Sequence, residues 1–349
     1  MIDFRYHLVS IVAVFLALAI GIVLGSTELQ GSTINGLRTL SDSLKSQLSA
    51  AGAQRDAYQQ QASASDAFLQ TAEPKLLNGT LAGDKIVIIT EPGAPSGIID
   101  GIEKAAGPGY AGATVTGTVA LQPKFNDLTG TTRSSLSAIN SDLAATDGTA
   151  LAPATDQQTV YQQEAAQLIA TAVLNQSDGE PGLTAAQAQN LLGAYAKSGY
   201  LTTSGIPWNR ATMAVIVTPQ TAPANGQNDP ANQVLLAVAA QFAQASAATL
   251  VAGTAASSAA SASAISVLRG SSVSSQVSSV DNADTRLGQI STIWALADQL
   301  AGGKPNSYGI SGASAVSPVP PPVPSATPTG SGTPTPKATG KVKKTVNTK

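Results

Sequence analysis

The residues with the chemistry to hold a ligand are Glu91, Asp281 and Asp284, with Thr254 and Ser96 beside them. Each falls in a loop directly after a short apolar run, in "TEPGAPSG" (90–97), "AGTAAS" (252–257) and "VDNADT" (280–285). If those runs are parallel strands, the loops gather at the carboxyl edge of one sheet, where open α/β sheets bind their ligands. Three carboxylates there would suit a cation or a small polar ligand. The competing reading makes Asp281 and Asp284 caps of the following helix and leaves Glu91 in a solvated loop.

Other chemistries lack their parts. "EPGAPSG" fits neither G-x-G-x-x-G nor G-x-x-x-x-G-K-[ST], so no phosphate cradle is expected there. No G-x-S-x-G elbow occurs. The single histidine, His7, precedes a long apolar run, so no Ser-His pair can form in the domain beyond it. With no cysteine and two methionines, Met1 and Met213, thiolate sites and disulfides are absent and soft ligands are scarce. Met213 itself lies in a run that reads as a buried strand. The expectation is a protein without catalytic residues and without an evident cofactor.

Those loops need elements to hold them. "GDKIVIIT" (83–90), "ATVTGTVAL" (113–121), "ATMAVIVTP" (211–219), "AATLVAG" (247–253) and "SQVSSVDN" (275–282) read as strands, separated by helical segments. A helix is expected after Ser96 as its cap. Others follow at 127–143, 157–175 and 184–197, after Asp229 with Pro230 at the first position, across "SAASASAISVLRG", and over "ADTRLGQISTIWALADQLAGG". Alternating strands and helices imply parallel βαβ units, hence an α/β fold with an open, mostly parallel, flavodoxin- or Rossmann-like sheet and helices on both faces. Right-handed crossovers lead to a strand order of 2-1-3-4-5. The 127–197 stretch becomes a helical insertion, placed as a cap over one sheet end. The runs are short and apolar throughout, unlike the alternating strands of a membrane barrel.

Upstream of this 78–310 domain the chain changes character. From Leu8 to Thr27 no charge occurs, a length that suits a bilayer-spanning helix better than a cleaved signal, with Leu8, Phe15 and Leu24 facing lipid. Arg5 and His7 before the run and Glu28 after it put the N-terminus on the cytoplasmic side and the bulk outside the cell membrane. The anchor is thus residues 1–27. Residues 28–77 follow as a spacer, with Ile34, Leu37, Leu44, Leu48, Ala51, Tyr58, Ala62 and Leu69 on a 3,4-spaced seam broken by Ser41, Arg55 and Ser65. That pattern reads as one helix over 29–72, roughly 65 Å long, able to pair as a coiled coil in a homodimer or higher oligomer. The alternative is an amphipathic helix folded back on its own domain.

Charge completes the picture. The charged fraction is 11% and the net charge −2, which argues against nucleic acid as a partner. Residues 311–349 hold 8 of the 20 prolines and five of the 19 basic residues but none of the 21 acidic ones. A tail of that composition cannot bury a core and is expected to be disordered.

The N-terminal "HLVSIVAVFLALAIGIVLGS", the helix after it, "KIVIIT" and "SSVDNADTRLGQISTIWALADQLAGGKPNSYGI" (278–310) together resemble the mycobacterial copper transport protein B family of actinobacteria. The resemblance covers residues 1 to about 310. It implies copper as the ion handled, by efflux across the envelope or through an outer-membrane channel, which makes the outer membrane and cell envelope the alternative to the cell-membrane location. A second function class remains beside it: a non-catalytic envelope scaffold that dimerises by its coil and presents the α/β domain to a protein partner.

Overall fold

The computed structural model describes residues 4–153, 156–175 and 182–311, without the side chains of residues 4 and 26–34. The proline-rich tail from 312 onward lies outside the described residues. The chain divides into two compact units between Phe68 and Leu69.

The first unit is helical. One helix, α1, runs from Phe4 to Leu77, and no proline interrupts it until Pro74 in its last turn. Within it, Arg5–Gly25 is long and apolar enough to cross a membrane, the one such segment among the described residues. Leu8, Phe15 and Leu24 lie exposed on it.

The second unit is an α/β domain that includes the last residues of α1. Five parallel strands form its centre: β1 (Lys85–Thr90), β2 (Thr114–Leu121), β4 (Met213–Val217), β5 (Ala248–Ala252) and β6 (Ser278–Val280). Two edge strands were not expected from sequence. β3 (Leu201–Gly205) runs antiparallel to β2, and β7 (Ser307–Tyr308) parallel to β6. The order is β3-β2-β1-β4-β5-β6-β7, so the five central strands follow the 2-1-3-4-5 expectation.

Helices cover both faces, which is why β4 and β5 are buried at every residue and read as continuous apolar runs. Alternation along each strand feeds two cores. Val87, Ile89, Val119, Ile216 and Val251 meet α3 (Gly130–Asp147), α4 (Val160–Val173), α5 (Ala185–Lys197), α6 (Pro230–Ala245) and α8 (Ala264–Gly270). Ile86, Ile88, Val215, Leu250 and Val280 meet α2 (Ser96–Ala106) and α9 (Arg286–Leu300), with Leu69 and Leu77 from the end of α1. The helices of 127–197 therefore form part of one facial layer, with Leu136, Leu168 and Leu191 in its core. The stretch read as one helix after β5 is two, α7 (Ala256–Ala259) and α8.

The end of α1 is fixed to this domain by more than apolar contact. Glu73, fully buried, accepts from Arg286 Nη1 at 3.1 Å, and Trp294 Nε1 donates to the Leu76 carbonyl at 3.2 Å. Caps follow the local chemistry. Asp229 accepts from the Ala231 N–H with Pro230 at the first position, as the sequence suggests, and Thr184 forms a capping box with Gln187. For α2 the expectation fails: Pro95 occupies the cap position, and Ser96 is already helical with no side-chain capping bond.

Candidate functional site

The carboxyl edge of the sheet can be laid out from its register. Thr90 pairs with Val217, Val217 with Ala252, and Ala252 with Val280. The next residues, Glu91, Thr218, Gly253 and Asp281, therefore form one row. Backbone bonds carry the ladder through it: the Glu91 N–H donates to Val217 at 3.0 Å, Thr218 to Ala252 at 2.9 Å and Gly253 to Val280 at 2.9 Å. Glu91 and Asp281 stand three strand spacings apart, about 14 Å. Their carboxylates cannot share one ion, so the expected cluster of Glu91, Asp281 and Asp284 is not assembled.

Each member has its own circumstances. Asp281 is fully buried and already committed. It pairs with Arg269 Nη1 at 2.8 Å and accepts the Ile310 N–H at 2.8 Å and the Ser311 N–H at 3.2 Å. Asp284 is exposed, and neither aspartate caps α9. That cap is Thr285, whose hydroxyl accepts the Gly288 N–H at 3.1 Å. Thr254 is satisfied locally: its N–H donates to Ser257 Oγ at 2.7 Å, and its hydroxyl accepts the Ser257 N–H at 3.3 Å. Ser96 is exposed at the start of α2. At the middle of the row, a side chain on Gly253 would collide with Thr218 Oγ1 and Ile265 Cδ1, so the crevice over β4 and β5 is filled.

Glu91 differs from the rest. It lies where the strand order reverses, between β1 and β4, the position at which doubly wound sheets take ligands. The reading of a solvated loop is wrong, because only 6% of the residue is exposed. Among the described residues its carboxyl has no hydrogen-bond partner, and burial pushes its pKa up to about 8. At neutral pH the group is mainly a neutral acid, which must release a proton before it can bind a cation.

Sequence reasoning passed over three residues here. Arg269 neutralises Asp281, Glu73 binds Arg286, and Asn282 holds a buried Oδ1 that has no hydrogen-bond partner among the described residues. The asparagine alone carried a legible signal, as a polar residue directly after a strand. Among the described residues, cavities open elsewhere. One of about 390 Å³ opens at the amino end of β2, lined by Glu103, Gly107, Thr114, Thr116 and Ser204. Another of about 260 Å³ lies beside α4 and α6, lined by Gln167, Thr171, Gln241 and Gln244.

The described residues do not fit a copper centre. Copper favours thiolate, thioether and imidazole donors. The chain has no cysteine, Met213 is buried within β4, and His7 lies at the start of α1. Among the described residues no three His, Cys, Asp or Glu side chains converge to hold a metal ion.

Comparison with known proteins supplies the lineage. A family model described as "Copper transport outer membrane protein, MctB" matches residues 1–320. "Copper transporter MctB" of Mycobacterium tuberculosis (strain H37Rv) is 30% identical over 313 residues, covering 88% of this chain and 96% of that protein. The protein of the same name from Mycobacterium leprae is 29% identical over 325 residues, covering 91% and 99%. The match takes in the apolar helix, the spacer and the whole α/β domain, and the chain belongs to the MctB family of copper transport proteins.

Proposed function

We propose that this protein serves copper homeostasis as a single-span envelope component, with its N-terminus cytoplasmic and its α/β domain outside the cell membrane. The observation that carries this reading is the family match across both the span and the domain. Copper is the cargo in this reading. One membrane helix encloses no aqueous path, and an open sheet covered on both faces is not a membrane barrel. The chain therefore acts in copper efflux as part of an assembly or as an accessory to another conduit. A strain lacking the gene should retain more cell-associated copper than its parent when copper is supplied, and the full-length chain should restore the parental level. Equal copper content in all three strains would remove the proposal.

The state of Met213 allows a sharper statement. Its thioether is packed in a buried strand, so it contributes volume, not ligation. Met213→Leu should rescue copper content as well as the native chain does, at a stability cost below about 1.5 kcal/mol. Loss of rescue by a folded variant would make the thioether a ligand after all.

A second reading is a non-catalytic scaffold that presents the α/β domain to an envelope partner. It is favoured by the apolar side chains left exposed along the spacer, among them Leu44, Leu48 and Phe68. In-cell crosslinking that recovers no other envelope protein would count against it.

A further inference from the structure

Between the membrane segment and the α/β domain, α1 exposes large apolar side chains to water. Leu37 is 61% exposed, Leu44 55%, Leu48 75% and Tyr58 62%. They fall on one heptad frame, with Ser41, Leu48, Arg55 and Ala62 at the a positions and Leu37, Leu44, Ala51, Tyr58 and Ser65 at the d positions. Leu40 and Phe68, also exposed, stand at g and widen the stripe. Four heptads of this kind are what a two-stranded coil buries, and an isolated helix gains nothing from displaying them.

The same frame has a different fate further on. Its next a position, Leu69, packs on the second core of the α/β domain, with Glu73 and Leu77 buried beside it. Those last turns serve the chain's own domain. Leu37, Leu40, Leu44, Leu48 and Tyr58 are exposed instead.

We infer that this stretch is the docking surface for a second copy of the chain, in a parallel two-stranded coil that ends before Leu69. A shared membrane segment at the N-terminal end fixes both helices in the same direction. In a parallel pair each g residue faces the e residue of the partner's next heptad. The facing pairs are then Leu40 with Lys45, Gln47 with Gly52, Gln54 with Gln59, and Gln61 with Asp66, and none sets like charges together. The one charged seam residue, Arg55, brings its own counter-charge, since Nη2 lies 3.0 Å from Asp56 Oδ1 in the same chain. Two stacked arginines are thereby partly neutralised, and a polar a layer of this type sets register.

The inference rests on the single-span reading above, but its test does not involve copper. Because the chain has no cysteine, single substitutions report helix pairing directly. Ser41→Cys, Leu44→Cys and Ser65→Cys in the full-length protein in native membranes should give disulfide-linked dimers under mild oxidation. Thr39→Cys, Ser46→Cys and Gln60→Cys, at the outer f positions, should give severalfold less. Ala72→Cys, at the d position after Leu69, should fall to the outer level. Equal crosslinking at every position would indicate collision in the membrane and overturn the inference. Monomers throughout, or adducts to a different protein, would overturn it too. Unchanged copper content in the deletion strain, with the crosslinking pattern intact in the full-length protein, would sink the functional proposal and leave this one standing.

Discussion

Asp281→Ala is expected to lower the stability of the α/β domain by about 3–5 kcal/mol, the range for removing one partner of a buried ion pair. The Arg269 side chain is only 14% exposed, and its guanidinium donates to Asp281, to Ser279 Oγ at 2.9 Å and to the Tyr308 carbonyl at 2.9 Å. Without the carboxylate it keeps its neutral acceptors but loses its counter-charge. The Ile310 and Ser311 N–H groups lose their acceptor in the same step. The cost is thus concentrated on β7 and the segment after it, which the pair pins to the end of β6. Gly309 shows how close the fit is: its φ is +132°, and a Cβ there would run into the Asp281 carboxylate. Trp208 and Trp294 pack against the two different cores, so tryptophan fluorescence in denaturant reports the whole domain. Asp281→Asn keeps the shape and one acceptor and should lose less than the alanine variant. A loss below about 1 kcal/mol for Asp281→Ala would mean that the pair contributes little net stability.

How far these features could be read in advance depended on whether their causes are local. "KIVIIT" and "MAVIV" announce buried parallel strands because both of their faces are covered, and right-handed crossovers then order them. β3 escaped notice because "LTTSG" buries only Leu201 and belongs to an exposed edge. β7 has two residues and owes its place to the Asp281–Arg269 pair, so no pattern of its own could reveal it. The candidate site was legible only as positions along a sheet edge. That Asp281 would be spent on an arginine from α8, or that Thr285 rather than an aspartate would cap α9, is decided by packing. "EPGAPSG" has the composition of a solvated turn, yet its first residue is buried, in a row whose other members come from distant parts of the chain.

The buried carboxyl of Glu91 should make the domain less stable as pH rises from 5 to 8. Its pKa in the folded protein is about 8, raised from 4.5 by burial. Between those two values the folded chain holds a proton that the unfolded chain has released, so the unfolded state binds fewer protons and unfolding becomes easier with increasing pH. The stabilising contribution is complete below pH 4.5 and lost as pH climbs through about 8. By pH 7 the loss is roughly 3 kcal/mol, taking 1.36 kcal/mol per pH unit over that interval. Glu91→Gln offers a neutral group of the same shape and should remove this slope, leaving the variant more stable than the native chain at pH 7 and near parity at pH 4.5. The difference between the two curves isolates the residue, because the other titrating groups are common to both. An infrared band for a protonated carboxyl, present at pH 7 and absent from Glu91→Gln, is the independent check. Parallel stability curves would show that Glu91 is ionised in the folded protein and has found a counter-charge.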